Sequence, residues 1–190
     1  MKPLMKRGLF ERSPLNSGMR GGMASRIITP WDWILFPALV SLCVTIVLST
    51  PLQPFGLYLP EPVTPFLLAF AWPLIRPSYI APFVLGGLGL FLDMFTGAPL
   101  GFWTLGLMLV YGVLVAVRTY VIGQEWIVVF AVFVLTEVAF FTFCTLVISI
   151  DSGGVPRLWG VFEQALATGL GFPAVLYLME KYLHTDVRFQ

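Results

Sequence analysis

Apolar positions run almost unbroken from Trp31 to near the C-terminus, punctuated by Pro, Gly and a few charges. No period-two alternation and no polar stripe interrupts these runs. Both faces of each segment are therefore apolar, which suits helices surrounded by lipid. The breaks divide the chain into six predicted spans, at about residues 33–49, 64–75, 80–95, 100–117, 125–150 and 158–182. A bilayer crossing takes about 20 residues at 1.5 Å each. The second segment is too short for that. It must extend back through Pro51, Pro54, Pro60, Pro62 and Pro65, or sit tilted against its neighbours. A five-span protein with 64–75 as a re-entrant piece is the competing count. The predicted fold class is an all-α integral membrane protein, a six-span helical bundle.

Composition strengthens the membrane assignment. The chain is 58% hydrophobic and 11% charged, with a mean hydropathy of +0.88. A soluble domain has about 25% charged residues. In a chain of 190 residues these spans leave no aqueous stretch long enough for a separate catalytic domain. The net charge of +1 implies no nucleic-acid partner. Residues 1–30 differ from the rest: Lys2, Lys6, Arg7, Arg12, Arg20 and Arg26 lie among Gly, Ser, Pro and Asn. They read as a disordered basic tail, followed by the bundle at 31–183 and a short tail at 184–190. A signal peptide is the alternative, but the run after Trp33 ends at Ser49-Thr50-Pro51, without a small-x-small cleavage site. Met19 or Met23 is an alternative start, since nothing before Met23 reads as structured.

The basic residues choose between the counts. With six spans, the two tails and the loops at Arg76 and Arg118 hold ten of the eleven Lys and Arg. The opposite loops hold only Arg157, with Glu61 and Asp151. The positive-inside rule then makes both termini cytoplasmic. A re-entrant second segment would erase this bias. Trp31, Trp33, Tyr58, Tyr79, Trp126 and Trp159 fall near predicted span ends, as interfacial anchors do.

Of the carboxylates within the spans, three are candidates for chemistry: Asp93, Glu137 and Glu163. Each could bind a cation or relay a proton; each could equally be hydrogen-bonded inside the bundle and hold helices in register. Glu163, beside Gln164, is near enough to an interface to be solvated. Cys43 and Cys144 lie in apolar runs without metal-ligand spacing and read as small hydrophobes. His184 stands alone in the C-terminal tail. No catalytic set, metal site or cofactor is predicted.

The most specific local pattern is Gly89-Leu90-Phe91-Leu92-Asp93-Met94-Phe95-Thr96-Gly97-Ala98-Pro99-Leu100-Gly101. Asp93 ends a helical run, Gly97 and Pro99 make a tight outer turn, and Gly101 opens the next helix. Asp93 can accept hydrogen bonds from N–H groups of the turn or of the following helix start, giving a hairpin with almost no loop.

This run resembles the G-x-x-x-D-x-x-x-G-x-x-x-G signature of the bacterial rod-shape-determining MreD family. The resemblance extends over about residues 33–185. It includes a Pro-initiated short span (Pro62 to Ala71-Trp72-Pro73), a Pro-containing turn (Arg76-Pro77), and an aromatic–Pro step in the last span (Phe172-Pro173) before the basic Lys181. The chain departs from the family at Glu61-Pro62, where Arg-Pro is frequent, in its less basic C-tail, and in its long N-tail and proline-rich first loop. The resemblance implies a non-catalytic inner-membrane subunit of the cell-elongation complex. Such a subunit anchors MreC and, through it, couples MreB filaments to RodA and a class B penicillin-binding transpeptidase. It also implies a fold similar to the substrate-binding subunits of energy-coupling-factor transporters. The alternative function is therefore a small-molecule-binding transporter subunit, which would need a pocket lined by polar groups.

Aqueous loops this short cannot bury about 800 Å² against a partner, so contact is expected within the membrane. The sequence suggests a groove on the last two spans. Phe130, Phe133, Phe140, Phe141 and Phe143 would wall it, and Ala131, Ala139, Ala165, Ala167, Gly169 and Gly171 would open it. The competing reading is that these phenylalanines face lipid.

Overall fold

The computed structural model describes residues 27–28, 31–49, 61–154, 156–183 and 188–189. Most of the two tails, the loop at 51–60 with Tyr58, and His184 lie outside these residues. Among the described residues the helices and their short connections are joined by one two-residue parallel pairing, Ile27–Ile28 with Arg188–Phe189, which brings together the segments that precede the first helix and follow the last.

Six helical segments follow one another. A wide π-helical turn, Trp31–Leu35, leads into α1, Phe36–Ser49. It runs up to Pro37, whose missing N–H removes the helical donor for the Trp33 carbonyl. Then come α2, Thr64–Ile75; α3, Ile80–Thr96; α4, Phe102–Val121; and α5, Trp126–Ser152. The last segment is broken into α6, Leu158–Gly169, and α7, Phe172–Leu183. Three segments are long and apolar enough to cross a membrane: Phe102–Val121, Trp126–Ser152 and Leu158–Lys181. Trp33–Ser49, Thr64–Ile75 and Ile80–Thr96 are apolar but shorter.

The short helix is the centre of the molecule. Every residue of α2 except Leu67 is buried, and it packs against α1, α3, α4, α6 and α7. Pro65 sits in its first turn, where no N–H is needed, and Arg76 in extended backbone before Pro77 ends it. At 1.5 Å per residue it is about 18 Å long. A helix sheathed on all sides by other helices has no need to match the bilayer thickness itself. Its rings meet those of α5, and one of these in turn meets a ring of α7. Phe66 and Phe140 centroids are 5.0 Å apart, Phe70 and Phe133 5.0 Å, and Phe133 and Phe172 5.1 Å.

Several boundaries move from their predicted places. Arg118 lies in the last turn of α4 and Asp151 in the last turn of α5, not in loops. Trp33 is 3% exposed and belongs to the core, whereas Tyr79, Trp126 and Trp159 are exposed at helix starts. The single sixth span breaks at Leu170-Gly171. Pro173 has no N–H for the Gly169 carbonyl, and the Gly171 N–H turns back to the Thr168 carbonyl at 2.9 Å.

Candidate functional site: the Asp93 hairpin joint

The α3–α4 hairpin gives each residue of the G-x-x-x-D-x-x-x-G-x-x-x-G pattern a separate physical task. Gly89 lies one turn before Asp93 on the face turned to α4. A Cβ there would sit 2.5 Å from the Thr104 Cα, so only glycine permits this approach. Gly97 closes α3 in the left-handed region at φ 66°. Pro99 receives the Phe102 N–H on its carbonyl at 3.0 Å. Gly101 opens α4 at φ 95°, where an L side chain would be strained.

Asp93 binds these parts together. It is 1% exposed. Its Oδ2 accepts the Gly101 N–H at 2.8 Å and the Thr104 hydroxyl at 3.0 Å, and its Oδ1 accepts the Trp103 N–H at 2.7 Å. A helix start leaves its first N–H groups without intrahelical partners. Gly101, at the N-cap, has no side chain to supply an acceptor. Asp93 supplies it from the preceding helix. Next to it the Trp103 indole donates to Thr96 Oγ1 at 3.1 Å, which in turn donates to the Leu92 carbonyl at 2.8 Å. The partners of Asp93 and of the Trp103 indole are thereby groups of the protein itself, and they link the end of α3 to the start of α4.

The other candidates are not gathered here. Glu137 is buried at 6% exposure on α5. Its Oε1 makes no hydrogen bond, and its Oε2 faces Gly169, where a Cβ would be 3.3 Å away. Glu163 is partly exposed on α6. Gly169 and Gly171 do not open an outer groove, which corrects the expected docking surface. Gly171 faces α2, with Leu67 Cδ1 2.5 Å from where a Cβ would lie. Phe133, Phe140 and Phe141 are core residues at 0%, 3% and 6% exposure; of the expected wall, Phe130 is the exposed member. The small residues of α6 and α7 serve the bundle's own packing.

Hydroxyls that the sequence reading passed over also tie helices together. Ser41 and Thr45 on α1 meet Thr64 on α2 at 2.9 and 2.7 Å. Thr168 Oγ1 on α6 accepts the Val63 N–H at the entry to α2 at 2.9 Å and donates to the Gln164 carbonyl at 2.8 Å. The Tyr111 hydroxyl on α4 bridges the N–H and carbonyl of Ser78 at 3.2 and 3.0 Å, closing the α2–α3 turn. Isolated Ser and Thr inside apolar runs show no period, so only the fold reveals these links.

Among the described residues, no group of three or more His, Cys, Asp or Glu could hold a metal ion. A small cavity with a polar lining from Thr45, Glu61, Thr96 and Gln164 measures about 30 Å³. That is room for a water molecule, whereas small-molecule pockets span about 300–1,000 Å³. Two larger clefts, of about 360 and 240 Å³, are lined mainly by apolar side chains. Comparison with protein-family models, curated proteins and solved structures found no match.

Proposed function

We propose that the chain is a non-catalytic subunit of a bacterial cell-elongation complex, of the MreD kind. In this reading it crosses the inner membrane six times with both termini in the cytoplasm. It anchors a single-span MreC partner and, through it, couples MreB filaments to RodA and a class B penicillin-binding transpeptidase outside.

The observation that carries the reading is the Asp93 joint. The residues that bear the resemblance to the family form one hydrogen-bonded unit in which Gly89, Asp93, Gly97 and Gly101 each have a distinct role. A joint of this kind fixes the angle between two helices, which is what a scaffold requires. A transporter subunit would need a ligand-sized polar pocket, and the described residues form a polar cavity of about 30 Å³. The pairing of Ile27–Ile28 with Arg188–Phe189 favours an even number of crossings, because it brings together the segments that flank the first and last helices.

With Gly169 and Gly171 turned inward, the partner's helix is better served by the cleft between α4 and α5. Val113, Leu135, Ala139 and Phe143 line it.

Affinity purification of the full-length protein from native membranes tests the proposal. MreC and the cell-wall synthases should be recovered, and Ala139→Leu should reduce that recovery while the protein stays inserted and abundant. Recovery of a transporter ATPase pair instead would overturn the proposal.

A further inference from the structure

Asp93 and Glu137 are both buried, but only Asp93 is paired. It accepts three hydrogen bonds. Glu137 is 6% exposed, and its Oε1 is closed off from water and accepts no hydrogen bond among the described residues. We propose that Glu137 is a proton-binding site that controls the break in the last span. The carboxyl is neutral while the break packs against it, and loss of its proton to water loosens the break. This inference is independent of the elongation-complex reading.

The surroundings suit a proton better than a larger cation. Phe133, Phe140 and Phe141 stand at i−4, i+3 and i+4 on the same face of α5, and all are buried. Gly169 of α6 lies against the carboxyl, with Oε2 and Oε1 3.3 and 3.6 Å from where a Cβ would sit. None of these residues has a polar side chain. A hard metal ion gathers about six oxygens, and no group of three or more acidic, His or Cys side chains is gathered among the described residues. A buried carboxylate with neither donor nor counter-ion relieves its charge by taking up a proton.

The packed helices bring no opposite charge to it. On α2 there is no ionisable residue. On α4 the Tyr111 hydroxyl is engaged by Ser78, and Arg118 lies about three turns beyond Gly106, the residue that meets Phe140. On α6 Glu163 is partly exposed and is itself an acid. On α7 Tyr177, Glu180 and Lys181 are exposed and lie more than a turn beyond Phe172, which packs on Phe133. Along α5 the buried Cys144 is about two turns away.

The break gives the site its consequence. Gly169 ends α6, and its carbonyl has no Pro173 N–H to receive. The helical ladder is thus already interrupted beside the carboxyl. An ionised Glu137 must be hydrated or paired. Moving the break away from α5 lets water reach it, and no Pro173 hydrogen bond is given up. The packed state holds the proton and the loosened state does not, so rising pH favours loosening.

The test uses the full-length protein in phosphatidylcholine vesicles. Infrared spectra read the C=O band of neutral carboxyl groups, and hydrogen exchange reads the amides around Leu170 and Gly171. Wild type at neutral pH should show a neutral-carboxyl band that is lost at alkaline pH and lost in Glu137→Gln. The band should survive in Glu163→Gln and when sodium replaces potassium. At alkaline pH the break amides should exchange faster in wild type than in Glu137→Gln, whose side chain stays neutral. Absence of the band at neutral pH, or its removal by sodium, would show an ionised carboxylate and overturn the proposal. A band that persists at alkaline pH, or break exchange equal in wild type and Glu137→Gln at every pH, would also overturn it. If Glu137→Gln fails to fold, the alkaline and neutral spectra of wild type and Glu163→Gln still show whether a buried carboxyl releases a proton.

Discussion

Asp93→Ala removes one acceptor group from three donors. The Trp103 N–H is buried, and an unsatisfied buried donor costs about 1–3 kcal/mol. The bond it loses is to a charge and short at 2.7 Å, which places it in the upper part of that range. The Gly101 N–H is only part-buried, so water can replace its partner and the loss there is below about 1 kcal/mol. The Thr104 hydroxyl is likewise only part-buried, so water can replace its partner at little cost. The expected total is about 2–4 kcal/mol. Asp93→Asn should cost less than half of this. Its carbonyl can face Trp103 and its amide can donate to the Thr104 hydroxyl, leaving Gly101 alone unpaired. Unfolding in detergent, followed by tryptophan fluorescence against denaturant, measures all three proteins. A wild-type midpoint for Asp93→Ala would refute the reasoning. Asn as damaging as Ala would show that the charge itself, and not acceptor geometry, is what the joint uses.

Three further outcomes are expected. Gly89→Ala and Gly171→Ala should both destabilise, since each Cβ would lie 2.5 Å from a neighbouring carbon, while Gly160→Ala, with nothing within 4 Å, should be neutral or stabilising; thermal melting in detergent ranks the three. Thr168→Val should cost about 1–3 kcal/mol by leaving the buried Val63 N–H without its acceptor, read in the same unfolding assay. Reporter fusions after residues 25, 78, 121 and 188 should read cytoplasmic and those near 56 and 153 periplasmic; a periplasmic C-terminus would remove the six-span count.

What could be read from the sequence was local chemistry. The bounds 64–75 coincide with α2 because Pro65 and Arg76-Pro77 mark both ends. The α3–α4 turn was visible because Asp, Gly and Pro have strong backbone preferences at fixed offsets. Side-chain direction was not legible. In a lipid-facing bundle both the inner and the outer faces are apolar, so periodicity cannot separate core from surface. Phe133 and Phe140 therefore looked no different from the exposed Phe130, and Trp33 resembled an interfacial anchor while packing in the core. The break in the last helix was hidden for the same reason. Hydropathy stays high through Gly169-Leu170-Gly171-Phe172-Pro173, although Pro173 cannot carry the hydrogen-bond ladder across it. The Asp93 joint is local and was anticipated in outline. The Thr168–Val63 link joins residues 105 apart and had no sequence signal.

The most direct test of the central claim is depletion of the protein in its native host, followed by microscopy of cell width and of newly inserted side-wall peptidoglycan. The account predicts that cells widen and round as side-wall insertion is lost, and that re-expressed wild type restores both. Cells that keep their width and their side-wall labelling after depletion would contradict it.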